Sequence, residues 1–199
     1  MDAGTLFKSS LYRMKDSRAL PEETGAQSEP DERPFEELFV EHWARVYRLL
    51  VRLVGDPAEA EDLALETFYR LYRRPPWQGE GANLKGWLNR VAINLGLHSM
   101  RSFRRQEHYE LKAGKLALDE AQEDRPGEVF ASQEEQRLAR RALAQMNPRR
   151  AQLLVMRYSG MAYKDIAASL GLAPTSIGPL LARAEREFEK RFRALNPEE

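Results

Sequence analysis

The sequence predicts an all-α fold, in which two small helical domains are joined by an acidic flexible linker and the second domain contains a helix-turn-helix. Three observations predict it. Apolar residues recur at three- and four-residue steps in two separate blocks, a carboxylate-rich segment lies between the blocks, and no segment has the pattern of a strand. We place the domains at 35–107 and 134–195, the linker at 108–133 and a disordered or weakly ordered extension at 1–34.

The first domain is predicted to contain three helices. The first runs from Phe35 to Val54 and has a strong apolar stripe; Gly55 ends it. Asp56 is the expected N-cap of the second helix, and Pro57 suits its first position. This helix ends before the two prolines at 75 and 76, and its predicted inward residues are Leu63, Phe68, Leu71 and Tyr72. The third helix extends from about residue 83 to 105.

The second domain is predicted to contain four helices, at about 138–146, 148–158, 163–170 and 174–195. Asn147 is the expected N-cap of the second of these, and Gly171 provides the turn between the last two. Leu172 and Ile177 are expected to pack beneath that turn. A helix-turn-helix places its second helix in the major groove of DNA, whereas the alternative is a helical hairpin with no DNA role.

Composition excludes several classes of function. Lysine plus arginine number 31 and aspartate plus glutamate number 31 in 199 residues, so DNA binding requires charges that are segregated along the chain. The chain has no cysteine, and its three histidines show no ligand spacing, so we expect no catalytic set, no metal site and no cofactor. We also expect no signal peptide, no membrane insertion and a cytoplasmic location, because charges interrupt every apolar run.

Two charged helices favour binding to macromolecules, although each has a simpler explanation. The carboxylates of the second helix form either a solvated acidic face or a docking face for a basic partner. The third helix combines Trp87 and Phe103 with Arg90, Arg101 and the pair Arg104-Arg105. These side chains suit single-stranded or distorted DNA, but a solvated basic face near a helix C-terminus is equally consistent.

The chain resembles the extracytoplasmic-function group of sigma factors, the small bacterial transcription initiation factors, from about residue 35 to 193. Three segments carry the resemblance: DPAEAEDLALETFYRLYRR from residue 56, LKGWLNRVAINLGLHSMRSFRR from residue 84 and ALAQMNPRRAQLLVMRYSGMAYKDIAASLGLAPTSIGPLLARAERE from residue 142. They occur in the order found in that group. The resemblance implies that the partners are bacterial core RNA polymerase and promoter DNA; whether an anti-sigma factor also binds is left open.

The resemblance also implies three groups of site residues. The residues expected to bind core polymerase, at the clamp of its largest subunit, are Asp62, Leu65, Glu66, Phe68, Arg70 and Tyr72. The residues expected to open and hold the minus-ten element are Asn83, Lys85, Trp87, Arg90, Asn94, Arg101, Arg104 and Arg105. The residues expected at the minus-thirty-five element are Arg149, Arg150, Lys164, Thr175, Ser176, Arg183 and Arg186.

One departure from the group affects the recognition helix. Gly178-Pro179-Leu180 replaces the usual Lys-Ser-Arg, so this helix is expected to be kinked or to start late. Two other functions remain open on the sequence: a helix-turn-helix regulator that acts without polymerase, and a helical protein that binds polymerase without reading promoters. The first leaves the acidic helix unexplained, and the departure at Gly178-Pro179 keeps the second open.

Overall fold

The computed structural model describes residues 34–74, 83–112 and 127–196. In these ranges every regular element is a helix, which confirms the predicted class. The helices are α1 Phe35–Val54, α2 Pro57–Arg73, α3 Leu84–Lys112, α4 Gly127–Gln145, α5 Pro148–Tyr158, α6 Tyr163–Leu170 and α7 Pro174–Leu195.

Local chemistry sets the ends of several helices where the sequence predicted. Gly55 closes α1 with a φ of 87°, in the left-handed region that favours glycine. Asp56 caps α2, because its carboxylate accepts a hydrogen bond from the Glu59 N–H at 2.8 Å. Asn147 caps α5 in the same way, by accepting from the Arg149 N–H at 3.1 Å. The predicted starts of α2 and α5 are therefore confirmed.

Helices α1, α2 and α3 pack against one another around an apolar core. The largest fully buried side chains of this group are Leu38, Leu50, Leu53, Phe68, Leu71, Leu88, Ile93 and Leu97. Gly96 allows α3 to approach α1 closely, since a Cβ at this position would lie 2.6 Å from a methyl carbon of Leu53. A larger residue at 96 would require the buried Leu53 side chain or α3 itself to move.

Helices α6 and α7 form the predicted helix-turn-helix, and the two axes meet at a bend of 94°. Gly171 makes the turn with a φ of 64°. The buried residues of α7 are Ile177, Leu181, Ala184 and Phe188. Leu172 does not pack beneath the turn as predicted: it is 39% exposed, because it lies in the turn itself and not on the buried face of either helix.

Helix α7 does not start late. It begins at Pro174 and continues through Pro179 to Leu195. Pro174 suits the first turn, where N–H groups have no acceptor within the helix. Pro179 removes one further donor, so the carbonyl of Thr175 loses one hydrogen bond near the helix start and the rest of the ladder continues.

Helix α3 is shared by both halves of the molecule. It packs against α1 and α2, and it also packs against α4, α5 and α6. The buried apolar residues of both halves form one cluster. Arg140 of α4 lies against Gly55, where an added Cβ would be 2.7 Å from the guanidinium carbon. Burial lowers the pKa of Arg140, and the nearby Arg137 lowers it further. The sequence did not predict this packing.

The helices extend beyond their predicted ends on both sides of the linker. Helix α3 continues past Arg105 to Lys112, and α4 starts at Gly127 and not near Leu138. Helical structure therefore enters the predicted 108–133 linker from both ends. The rest of that linker at 113–126, the predicted loop at 76–82 and the predicted extension at 1–33 lie outside the described residues.

One carboxylate ties α7 to the start of α5. Glu187 accepts hydrogen bonds from the Asn147 N–H at 2.8 Å and from an Nη of Arg150 at 2.7 Å. Burial by itself would raise the pKa of Glu187, but these two hydrogen bonds and the charges of Arg150 and Arg191 lower it overall. The pair is therefore a stabilising contact that depends on the ionised carboxylate.

We predict that Glu187→Ala lowers the free energy of unfolding by about 1–3 kcal/mol at neutral pH, because it removes two charge-assisted hydrogen bonds. The matched variant Glu189→Ala breaks only the pair with Arg193 on the same helix, so it should cost about 0.5 kcal/mol or less. Urea unfolding followed by circular dichroism measures both.

The effect of Glu187 should depend on pH with a definite sign. The folded-state pKa lies below the ordinary value of 4.5, so the contribution is complete above pH 4.5 and is lost as pH falls through the lowered pKa. The difference between wild type and Glu187→Ala should shrink over that acidic range. Equal destabilisation by Glu187→Ala and Glu189→Ala at neutral pH would contradict this account.

Candidate nucleic-acid interface and protein-docking face

Helix α2 presents an exposed face that combines carboxylates with large apolar side chains. Asp62 and Glu66 lie one turn apart on this face. Leu65 is 48% exposed, Tyr69 53% and Tyr72 68%. We call these five residues the α2 face. Exposed apolar area rimmed by charge is typical of a surface that binds another protein.

Two predictions for α2 are wrong about which side chains are accessible. Phe68 is 1% exposed, and its ring packs 4.8 Å from Phe39 and 5.9 Å from Trp43, so it supports the α2 face from below and cannot contact a partner there. Tyr72, predicted to point inward, lies at the edge of the buried stripe and contacts Phe35 edge-on at 5.5 Å.

Tyr69 belongs to the α2 face, although it was not among the predicted site residues. Its position seven residues after Asp62 places it on the same side of the helix, and that spacing was available in the sequence. Arg73 lies over the Tyr69 ring at 5.8 Å. Arg70, a predicted site residue, donates from Nε to the Glu66 carboxylate at 2.8 Å. Arginines therefore line the C-terminal end of this face.

The predicted minus-ten residues at the start and in the first half of α3 have different surroundings. One caps the helix, others are exposed polar side chains, and one packs against the core. Asn83 caps the helix by accepting a hydrogen bond from the Gly86 N–H at 2.8 Å. Lys85 and Asn94 are exposed. Trp87 is partly buried and packs against the apolar core, so most of its ring serves the fold.

The second half of α3 carries the arginines. Arg104 and Arg105 are exposed, and Phe103 beside them is 71% exposed. Arg101 differs from them: its Nε and one Nη are buried and make no hydrogen bond within the part of the chain that is described. Burial lowers the pKa of Arg101. This end of α3 combines cations with an exposed ring, the pair of features that suits single-stranded nucleic acid.

Helix α6 lies against the start of α3 and contacts two of the predicted minus-ten residues. Arg90 donates from Nη1 to the backbone carbonyl of Ser169 at 2.7 Å. Asn83 donates from Nδ2 to the Asp165 carboxylate at 3.4 Å. A Cβ added at Gly86 would lie 3.3 Å from the Ser169 hydroxyl. In this arrangement, therefore, Arg90 and Asn83 are engaged by the helix-turn-helix.

The exposed side of α7 brings together three of the predicted minus-thirty-five residues. Thr175, Arg183 and Arg186 are exposed and recur at steps of eight and three residues, on the side opposite the buried stripe. Arg186 donates from Nε to the Ala182 carbonyl at 3.1 Å. Ser176 lies beside Thr175 and is partly buried.

The remaining predicted minus-thirty-five residues lie outside α7. Arg149 at the start of α5 and Lys164 at the start of α6 are exposed. Arg150 pairs with Glu187 and so holds α5 to α7. The structure therefore gives Arg150 a structural contact in addition to its predicted role.

A partly buried polar pair, Arg45 and Asn89, joins α1 to α3 and was not predicted. Arg45 donates from Nη1 to the Asn89 side-chain carbonyl at 2.8 Å, and Asn89 is 7% exposed. Burial lowers the pKa of Arg45 to about 10, although Glu41 acts in the opposite direction. An arginine among the apolar positions of α1 was the signal available in the sequence. The pair orients α3, on which the candidate DNA residues lie.

The described residues also bear on other kinds of site. They contain no group of three or more histidine, aspartate or glutamate side chains arranged to hold a metal ion. In the same ranges no single helix is long and apolar enough to cross a membrane; only the bent pair α6 and α7, taken together, passes that test of length and composition.

The chain matches two protein-family models: Sigma-70 region 2 over residues 38–106, and Sigma-70, region 4 over residues 136–188. It is 33% identical over 151 residues to the ECF RNA polymerase sigma factor SigL of Mycobacterium tuberculosis, covering 75% of this chain and 83% of SigL. It is 31% identical over 155 residues to the ECF sigma factor SigE of Mycolicibacterium smegmatis, covering 76% of this chain and 58% of the length of SigE.

A solved structure supports the fold. CnrH, in complex with the cytosolic domain of CnrY, superposes with a TM-score of 0.50 at 15% identity, over 97% of this chain and 99% of CnrH. A chain with both matched regions is a transcription initiation protein that has DNA-binding and polymerase-binding parts. This chain belongs to the extracytoplasmic-function group of the sigma-70 family of RNA polymerase sigma factors.

The contact between α3 and α6 can be tested with an engineered disulfide. The chain has no cysteine, so Gly86→Cys with Ser169→Cys introduces the only two thiols. Because the added Cβ at 86 lies 3.3 Å from the Ser169 hydroxyl oxygen, the two Cβ atoms fall near the spacing that a disulfide needs. We predict that mild oxidation converts most of the free double variant to an intramolecular disulfide.

Loss of free thiols, with a monomeric and reductant-reversible mobility shift on a gel, is the measurement. The two single-cysteine variants serve as controls, because they can form only intermolecular disulfides. If the double variant keeps its thiols under conditions in which the single variants dimerise, α6 does not lie against α3 in solution.

Proposed function

We propose that this sigma factor binds core polymerase through the α2 face, opens the minus-ten element with α3, and reads the minus-thirty-five element with α7. The observation that carries this proposal is the separation of three chemically different surfaces on one helical scaffold. One is acidic and aromatic, one is basic and aromatic, and one is the exposed side of a helix-turn-helix.

The α2 face suits a basic protein partner. Leu65, Tyr69 and Tyr72 supply apolar area, and Asp62 and Glu66 supply negative charge that complements cations. Resemblance to the family favours the coiled-coil clamp of the largest polymerase subunit as that partner. Phe68 contributes by holding the α2 backbone in place and not by contact.

We predict that Asp62→Lys with Glu66→Lys weakens binding to core polymerase at least tenfold, because it reverses the charge at the centre of the α2 face. The matched control is Glu36→Lys with Glu37→Lys, which makes the same change in net charge on exposed side chains in the first turn of α1. Both variants should unfold at nearly the wild-type temperature, since exposed charges contribute little to stability.

Fluorescence anisotropy of labelled protein titrated with core polymerase measures the affinities. Equal weakening by the two double variants would mean that only overall charge matters. Wild-type affinity in the folded Asp62→Lys, Glu66→Lys variant would place the docking surface elsewhere.

We propose that Asn83, Lys85, Arg90 and Asn94 contact the opened minus-ten element. These positions are exposed and lie at the start and in the first half of α3. Unstacking a base costs a few kcal/mol, so specific contacts must offset it. Arg90 and Asn83 first have to leave Ser169 and Asp165, and hence α6 must move away from α3 before the site is complete.

We predict that Arg90→Ala with Asn94→Ala leaves holoenzyme assembly intact and reduces promoter melting at least tenfold. Permanganate reactivity of thymines in the minus-ten element measures melting, and native gels measure assembly. Arg48→Ala, which removes an exposed arginine of α1, is the control and should melt promoters normally. Normal melting by the Arg90, Asn94 variant would contradict the assignment.

We propose that Thr175, Ser176, Arg183 and Arg186 face the minus-thirty-five element, with Arg149 and Lys164 at phosphates. Side chains that reach base edges discriminate between sequences, whereas phosphate contacts only position the protein. Under this proposal α7 supplies discrimination, and the starts of α5 and α6 supply position. The C-terminal helices also form the surface proposed to touch the polymerase flap.

The other parts of the proposal concern organisation and regulation. Residues 35–107 and 134–195 act as two functional domains, and the acidic 108–133 segment connects them along the RNA exit path. The protein acts by binding and not by catalysis, in the cytoplasm. An anti-sigma factor is a further proposed partner: CnrH, whose fold this chain shares, was solved with the cytosolic domain of CnrY.

A further inference from the structure

Just after its first turn, α7 contains the two residue types that are least favourable inside a helix. Gly178 precedes Pro179, and the helix runs without interruption from Pro174 through both of them. Glycine adds backbone freedom that must be lost on folding, and proline cannot donate to the carbonyl of Thr175. Residues of this kind persist inside a helix when something else requires them.

The interior of the protein does not require either residue. A Cβ added at Gly178 meets no atom within 4 Å, and the backbone there is not left-handed. Pro179 is exposed. The contrast with Gly96 is clear, since a Cβ there would lie 2.6 Å from Leu53. The fold explains Gly96, but it leaves Gly178 and Pro179 unexplained.

The pair lies on the side of α7 that is exposed. Thr175, Pro179 and Arg183 recur every four residues and therefore line one side of the helix, opposite the buried stripe that contains Ile177 and Leu181. Gly178 adds no side chain next to this row. Gly178 and Pro179 therefore form a small, flat apolar surface between the Thr175 hydroxyl and the Arg183 guanidinium, and we call this surface the step. A partner can approach the helix closely there.

The chemistry of this step selects one feature of DNA. Pro179 has no donor or acceptor on its side chain, so it cannot bind a phosphate or a polar base edge. The one apolar group that base pairs present in the major groove is the C5-methyl of thymine. Arg183, one turn further along, is suited to guanine or phosphate on the neighbouring base step.

We propose that Pro179 packs against the C5-methyl group of one thymine in the upstream promoter element, and that Gly178 provides the close approach this contact needs. The proposal rests on the proposed function of α7 as the helix that reads this element. It makes Pro179 a specificity-determining residue, and it assigns thymine to the base pair opposite the step.

The test replaces thymine by deoxyuridine, which pairs identically but lacks the methyl group. An upstream element is first selected by transcription from a randomised promoter library with reconstituted holoenzyme. Each of its thymines is then changed singly to deoxyuridine in the duplex. Wild-type holoenzyme should lose about fourfold in affinity at one position, the factor expected from exposing one methyl group, and little at the others.

Two variants, compared with one control, connect this loss of affinity to Gly178 and Pro179. Holoenzyme with Pro179→Ser should bind the thymine and deoxyuridine duplexes equally well, whereas the control Pro174→Ser, on the other side of the same helix, should retain the fourfold preference. Pro179→Ser should also raise the melting temperature of the free protein, because the helix regains a donor. Gly178→Ala should likewise be more stable and should weaken binding to every upstream sequence, since its methyl group holds DNA away.

The outcomes separate this proposal from the proposed function. If upstream sequence is selected but no deoxyuridine change affects wild type, or if Pro179→Ser keeps the preference, Pro179 does not read a methyl group while α7 still reads DNA. If the library yields no upstream selection at all, the function proposed for α7 fails. If Pro179→Ser weakens binding to core polymerase without DNA, the step faces a protein, and the thymine contact is overturned.

Discussion

The arrangement of the whole molecule depends on one helix, α3, that packs against two separate groups of helices. Helix α3 contributes to the core with α1 and α2, and it also packs against α4, α5 and α6. Its register is set by close approach at Gly96 and by the partly buried pair Arg45–Asn89, so the direction of its polar residues is fixed by the first half of the protein. The second half then packs against a surface that already carries the candidate minus-ten residues, and for this reason packing competes with the proposed minus-ten contact for the same part of α3.

The contact between α3 and the second half includes hydrogen bonds as well as apolar packing. Arg90 donates from its guanidinium to the Ser169 carbonyl, and because this charge-assisted hydrogen bond is exposed to solvent it contributes about 1 kcal/mol or less. A base or phosphate that needs Arg90 must replace this bond, so it gains only the difference between the two interactions. The α2 face takes no part in the contact between α3 and α6, and its exposed tyrosines remain available while the two halves are packed together.

Sequence reasoning located what local chemistry determines and missed what depends on contacts between distant segments. The caps at Asp56 and Asn147 were predictable because a side chain three or fewer residues away completes them. The packing of α6 on α3 was not, because a hydrogen bond to the Ser169 backbone leaves no periodic pattern in the sequence. Phe68 shows a further limit: apolar spacing placed it inward, correctly, but resemblance to a family cannot tell whether a motif residue supports a surface or forms it.

The two surfaces proposed to contact DNA differ in availability, and this difference implies an order of events under the proposed function. In the packed arrangement the α7 row from Thr175 to Arg183 is exposed, whereas Arg90 and Asn83 are engaged. When only a fraction of molecules has the binding-competent arrangement, apparent affinity falls by that fraction. This reduction applies to the minus-ten contact and not to the α7 contact. Any partner that holds the two halves apart removes it. Under the proposed function, core polymerase binds the α2 face of one half and contacts the other half, so it would be such a partner. Promoter opening by this protein should therefore depend on polymerase more steeply than upstream DNA recognition does, because only the first requires α6 to leave α3.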